Sequence, residues 1–369
     1  MDNKKKILVF CYTGLGNLIL KIPLFKSLKK NYPFSQIDII SGNIGNFHVE
    51  DDFFLVRQEL INRIHIISEK DSFYNRIKKL RSLSKEKYEL ILMPFDGAPL
   101  TYKLLSFIFS CPKIIHYIIY PKKKILSYIK IAPFFLLPRT YLVKYDNDKH
   151  ETFLNLDLLN KDINFNKEYI DSNSRLSELK IKTTNVIKKF GLIETKYIII
   201  QPMAADGNMT AKVWAPKNYF LLIQELRRVY PKFKIVIVGQ NKDQEKINHH
   251  IPLISDLYLN LIGKTDINEL IELVNNASLV ISNDSSIMHI ASALDKNQVA
   301  LYGPTDIKRT RPTGKNSVIL SSKNKYLHAM QNFYFSEKEL SKRFPNYELM
   351  NKISTKDIMD QIHLLKFLD

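Results

Sequence analysis

The residues best suited to chemistry lie between Val280 and Asp306. In Val280-Ile-Ser-Asn-Asp-Ser-Ser-Ile-Met-His-Ile-Ala-Ser-Ala-Leu294, an apolar run stops at the polar knot Asn283-Asp284-Ser285-Ser286. Met288, Ala291 and Leu294 then recur at helical spacing. Asp284 or a neighbouring serine suits the N-cap. A strand that runs into a helix N-terminus through small polar residues presents backbone N–H groups and a helix dipole to a phosphate. His289, on the first turn, is within reach of the same anion. A second apolar run, Val299 to Tyr302, ends in Gly303-Pro304-Thr305. Two such strand ends side by side form the crevice in which open α/β sheets hold ligands.

Elements that must position these residues alternate along the whole chain. Strands are expected at Ile7–Cys11, Gln36–Ser41, Ile64–Ile67 and Leu90–Met93, with helices over Leu18–Asn31 and near Phe73–Leu83. Residues 146–195 are polar and read as connecting helices and a linker. The alternation restarts with the strand Tyr197–Gln201 and the helix Pro216–Tyr230. A strand at Lys234–Val238, a helix near Lys242–His250, a strand at Leu259–Ile262 and a helix Asn268–Asn275 follow. Such alternation argues for parallel sheets with right-handed crossovers. The 369 residues are enough for two domains, each with its own core. Two cysteines, Cys11 and Cys111, allow at most one disulfide, and a cytoplasmic location is the simpler expectation. The run after Lys4 is too short for a signal peptide, and no stretch approaches the ~20 apolar residues of a membrane span.

The Asp284 and Gly303 segments together resemble the signature of glycosyltransferase family 9, the lipopolysaccharide heptosyltransferases. Asp284, Ser285, His289, Ala293, Leu294, Gly303, Pro304 and Thr305 fall in register with it, and Ser286 replaces the usual glycine. The resemblance implies the GT-B architecture: two Rossmann-like domains facing a central cleft, acceptor on the N-terminal one and donor on the C-terminal one. Domain limits are then 1–175 and 190–350, with a helix at 355–369 packing back across the junction. Pro202 to Trp214 is similar to the family's phosphate loop. Lys212 and Trp214 match its lysine and tryptophan, and Thr210 is a hydroxyl donor to the same phosphates. A lysine there stabilises the leaving nucleoside diphosphate. Glu245 lies where the family holds the donor ribose, and it equally fits a solvated helix glutamate. Thr265 falls where backbone meets the adenine.

At the other end, Thr13 to Leu28 is similar to the family's acceptor-side motif, with Gly16, Pro23, Leu24 and Leu28 in place. Asn17 stands where the family has aspartate, its proposed general base. Three outcomes stay open. Asp96, on the next acceptor-side loop, serves instead; little base assistance is needed; or the protein binds nucleotide sugars without turning them over. Asp96 before Gly97 also fits a plain turn aspartate.

The implied reaction is inverting transfer of a heptose or related sugar, from an ADP-activated donor to the lipopolysaccharide or lipooligosaccharide core. It requires no cofactor, and Mg2+ is compatible with a diphosphate. A dinucleotide-dependent oxidoreductase is excluded: the third glycine after Gly14-Leu-Gly16 is Ile19, and no acid ends the second strand. The net charge of +18 is concentrated, since Gly97 to Tyr145 holds no Asp or Glu. Lysines interleaved there with aromatic and aliphatic groups suit the anionic inner-membrane surface as a peripheral partner, or a solvated basic face of two helices. No nucleic-acid motif accompanies the charge.

Overall fold

A computed structural model describes residues 5–11, 14–42, 60–68, 71–95, 108–118, 139–146, 148–172, 183–204, 210–323, 325–327, 330 and 336–368. The chain divides into two compact units, Met1–Ser174 and Arg175–Asp369.

In the N-terminal unit the elements run β1 (Lys6–Phe10), α1 (Leu15–Ile19), α2 (Ile22–Asn31), β2 (Gln36–Ser41), β3 (Arg63–Ile66) and α3 (Phe73–Ser84). They continue as β4 (Leu90–Met93), β5 (Ile114–Ile118), β6 (Thr140–Lys144) and α4 (Glu151–Asp157). The strands form one parallel sheet in the order β3-β2-β1-β4-β5-β6. Its central strands are continuous apolar runs because both faces are covered; Ile7 to Phe10 and Ile91 to Met93 are fully buried. The order reverses between β1 and β4, which makes that gap the switch point where ligands bind.

Two sequence expectations change here. The single helix over Leu18–Asn31 is two helices, α1 and α2. Pro23 lies at the second helical position of α2, and lacking an N–H it cannot bond back to the preceding turn. The basic stretch 97–145, for which two helices are one expectation, holds strands β5 and β6 among its described residues. The β-branched pair Ile114-Ile115 favours a buried strand, and Lys113 at its start pairs with Asp162 at 2.8 Å. Lys122, Lys123 and Lys124 lie outside the described residues.

The C-terminal unit repeats the plan. It runs α5 (Val186–Lys189), β7 (Tyr197–Gln201), α6 (Pro216–Val229), β8 (Lys234–Ile237), α7 (Gln244–Ile247), β9 (Leu259–Asn260) and α8 (Ile267–Asn276). Then come β10 (Leu279–Asn283), α9 (Ser286–Ala293), β11 (Gln298–Tyr302), α10 (Ile307–Thr310), β12 (Ser317–Ser321), α11 (Glu337–Arg343) and α12 (Thr355–Leu364). The parallel order β12-β11-β10-β7-β8-β9 is the first sheet's order again when counted from β7. Its switch point lies between β7 and β10. Residue Pro216 opens α6, where its missing N–H is no loss. Tyr219, Leu222, Ile223 and Leu226, at helical spacing, bury that helix on the sheet. The terminal helix α12 places Ile358 and Ile362 in this same core. The helix expected over Lys242–His250 is only the single turn α7, preceded by a 3-10 turn at Asn241–Asp243.

Candidate ligand site at the C-terminal switch point

The ends of β7 and β10 are adjacent, and side chains from both stitch the switch point together. Ser285 Oγ donates to Gln201 Oε1 at 2.6 Å, linking the first residue beyond the β10 turn to the last of β7. Asn283 bridges the two ends of the loop between β7 and α6. Its amide donates to the Pro202 carbonyl at 3.0 Å, and its oxygen accepts the Trp214 N–H at 2.9 Å. The loop is thereby closed beneath Lys212. Residues 205–209 of it lie outside the described set.

Lys212 Nζ stands 3.3 Å from Asp284 Oδ2 and 3.6 Å from Glu337 Oε2, with 19% of its side chain exposed. Burial disfavours its charge, but Asp284 and Glu337 outweigh that and raise its pKa, against an opposing push from Arg309. For Asp284, burial works against ionisation, yet Lys212, His289 and the Thr305 hydroxyl hold the carboxyl below its usual range. A fixed ammonium at the opening of a helix is thus maintained in its charged form.

That helix, α9, begins at the same point. Its N-cap Ser285 gives no side-chain cap bond, and its hydroxyl donates to Gln201. The helix dipole favours an anion at this end. Ser286 is half-buried and His289 buried on the same turn. From β11 come Gly303, Pro304 and Thr305. A Cβ at Gly303 would meet Met350 Sδ, so the strand end packs closely on the C-terminal segment, and a larger residue there would have to displace that methionine. The structure thus brings Lys212, Asp284, Ser285, Ser286, His289 and Thr305 to one edge of one sheet.

Other expected residues sit differently. The Thr210 hydroxyl donates to the Phe344 carbonyl at 2.9 Å, so it is already engaged. Glu245 is exposed on α7. The buried carboxylate of that loop is Asp243, whose Oδ2 accepts the Gln240 N–H at 2.8 Å and crowds Gly239. Thr265 is half-buried before α8. Asn17 is half-buried on α1, beyond the end of β1 at the N-terminal switch point. Its carbonyl accepts a bond from Lys21 Nζ at 3.3 Å, and Lys21 in turn pairs with Glu151 at 3.5 Å. Both side chains of that pair are buried, 0% and 1% exposed. Asp96 lies outside the described residues.

Glu337, Arg309, Asn283 and the Lys21–Glu151 pair were not anticipated from sequence. The capping box Ser336…Glu339 announces the helix that carries Glu337, but nothing local announces its contact with Lys212.

Known proteins share this fold. The profile of glycosyltransferase family 9 (heptosyltransferase) matches residues 132–336, more than half of the chain. Lipooligosaccharide heptosyltransferase 2 of Haemophilus ducreyi is 40% identical over 116 residues, which are 30% of this chain and 33% of that protein. The chain thus aligns with only about a third of that relative's length. Among solved structures, Escherichia coli ADP-heptose lps heptosyltransferase II superposes with a TM-score of 0.69 at 18% identity, covering 98% of each chain. Escherichia coli heptosyltransferase WaaC with ADP gives 0.67 at 13% identity, covering 98% of this chain and 99% of that one. These structures share the fold, and the profile match over more than half the sequence shows that the chain belongs to glycosyltransferase family 9.

Proposed function

We propose that this protein transfers a heptose, or a related sugar, from an ADP-activated donor to the lipopolysaccharide or lipooligosaccharide core. The single observation that carries the reading is Lys212, held charged by Asp284 at the uncapped N-terminus of α9. Negative charge grows on the departing nucleoside diphosphate as the glycosidic bond breaks. An ammonium and helix N–H groups already in place stabilise it without reorganising. The reaction is a single displacement with inversion: the acceptor oxygen bonds to the anomeric carbon, and the diphosphate leaves with the electron pair of the broken bond. In this reading Glu245 meets the ribose and backbone near Thr265 the adenine. A phosphate contact from Thr210 first requires its bond to Phe344 to open.

Asn17 at the family's base position favours a second reading, a nucleotide-sugar-binding protein without turnover. An amide accepts a bond from the acceptor hydroxyl but does not take its proton. Asp96 is the substitute carboxylate if one acts. The partner surface is the inner membrane, met by the basic stretch around Lys122 to Lys124; salt-sensitive co-sedimentation with anionic vesicles tests it. No helix among the described residues is long and apolar enough to cross a membrane.

Mass spectrometry of lipopolysaccharide from a strain lacking the gene tests the function. A core shortened by one heptose is expected. Loss of a hexose moves the donor class, and an unchanged core together with ADP-heptose binding in vitro leaves the non-catalytic reading.

A further inference from the structure

The lysine that the donor's diphosphate would need already carries two carboxylates. Asp284 belongs to the rigid frame: its backbone N–H donates to the Leu301 carbonyl at 3.1 Å, and its side chain is buried. Glu337 arrives from α11, a helix fastened to the phosphate loop itself. The Ser341 hydroxyl accepts the Ala211 N–H at 3.1 Å, the Phe344 carbonyl accepts the Thr210 hydroxyl, and Leu340 packs on Ala211. Contacts to the two residues before Lys212 therefore hold Glu337 against it. A carboxylate so placed does nothing for phosphate affinity, since like charges repel.

Its use lies in telling two ligands apart. In a nucleotide sugar the outer phosphate is esterified, carries about one negative charge, and brings sugar hydroxyls that donate hydrogen bonds. In the free nucleoside diphosphate the same phosphate carries between about one and two, with a second pKa near 6, and brings no sugar. The described charges around Lys212 are two cations, Lys212 and Arg309, and two carboxylates, Asp284 and Glu337. With the His289 ring neutral, they leave no surplus positive charge to absorb the extra unit.

We propose that Glu337 makes the site selective for the nucleotide sugar over the free nucleoside diphosphate, accepting a sugar hydroxyl from the one and repelling the terminal phosphate of the other. The departing product is thereby disfavoured where the substrate is held. The proposal rests on the reading that Lys212 binds the donor's diphosphate.

Calorimetry of the full chain with ADP and with ADP-heptose tests it in wild type, Glu337→Gln and Lys212→Ala. Thermal melting first verifies that each variant is folded. Glu337→Gln is expected to tighten ADP roughly tenfold, the effect of removing one nearby partly screened charge, with ADP-heptose affinity unchanged or weaker. Product inhibition by ADP deepens by the same factor. Equal tightening of both ligands would make Glu337 a mere counter-ion of Lys212 and overturn the proposal, as would no change in either. Lys212→Ala separates the two levels. If it leaves ADP affinity intact, the donor reading itself fails; if it weakens ADP while Glu337→Gln leaves the ratio unmoved, only the selectivity fails.

Discussion

The two units have the same strand order and place a lysine near the same topological point, yet they treat it in opposite ways. Lys212 keeps a fifth of its side chain in reach of solvent and is flanked by carboxylates on separate elements. Lys21 is sealed against Glu151 and a backbone carbonyl, next to Cys11, whose thiol is pushed up to about 12 by burial despite that lysine. Topology fixes where a sheet can meet a ligand. What the ammonium can do there depends on whether its partners can be exchanged. In the proposed reading Lys212 trades a carboxylate for a phosphate, whereas the buried Lys21 ties the turn that carries Asn17.

The contrast breaks most visibly in stability. Lys21→Met removes the buried counter-charge of Glu151, and a loss of about 3–5 kcal/mol in urea unfolding is expected. Lys21→Met with Glu151→Leu should recover most of it. A single variant as stable as wild type would mean that the pair is not sealed. The next effect is on rate. Asn17→Asp supplies a carboxylate at the acceptor side, and a rise of ~10²-fold in turnover with donor KM unchanged is expected where proton removal limits the reaction. An unaltered kcat would show that bond cleavage runs ahead of proton loss. Lys212→Ala should cost about 2 kcal/mol in donor binding by calorimetry, with a loss of stability smaller than that of Lys21→Met.

The smallest effect is on pH. Asp284 titrates below the usual 3.8 because Lys212, His289 and Thr305 overcome the burial that would raise it, and Asp38 and Asp162 are depressed in the same way. Carboxyls depressed in the folded state stabilise it fully above their unfolded pKa, and that stability is lost as pH falls through the folded values. Stability should thus hold down to about pH 4 and then fall, by at most ~1.4 kcal/mol per pH unit for each group. Chemical unfolding in this range should show a shallower slope for Asp284→Asn, and an equal slope would discount the Lys212 pairing.

What was legible in the sequence is what is local. The passage from β10 through Asp284 to α9 is contiguous, so its polar knot and helical spacing reveal a strand, a turn and an anion-ready helix end at once. The twofold α/β plan was equally readable, because buried parallel strands are uninterrupted apolar runs. β5, β6 and β12 escaped: the first two lie within a stretch whose basic charge dominated its reading, and Ser317 to Ser321 has serine at both ends. Glu337 escaped for a stronger reason. Its meeting with Lys212 is made by packing of Leu340 and by two hydrogen bonds to a loop far back in the chain, and no spacing rule encodes such a contact. The break at Pro23 was available from proline chemistry alone.

Trp214, two residues beyond Lys212, has a further consequence. It is the chain's one tryptophan, fully buried, with its indole N–H on the Ile353 carbonyl at 2.9 Å and its ring edge-on to Tyr219. Its backbone N–H is tied to Asn283, so it is bonded into the same switch point that holds the lysine. The protein therefore carries a built-in optical reporter confined to one unit. Its emission follows the C-terminal sheet and the loop beside Lys212, and the N-terminal unit adds no tryptophan signal to it.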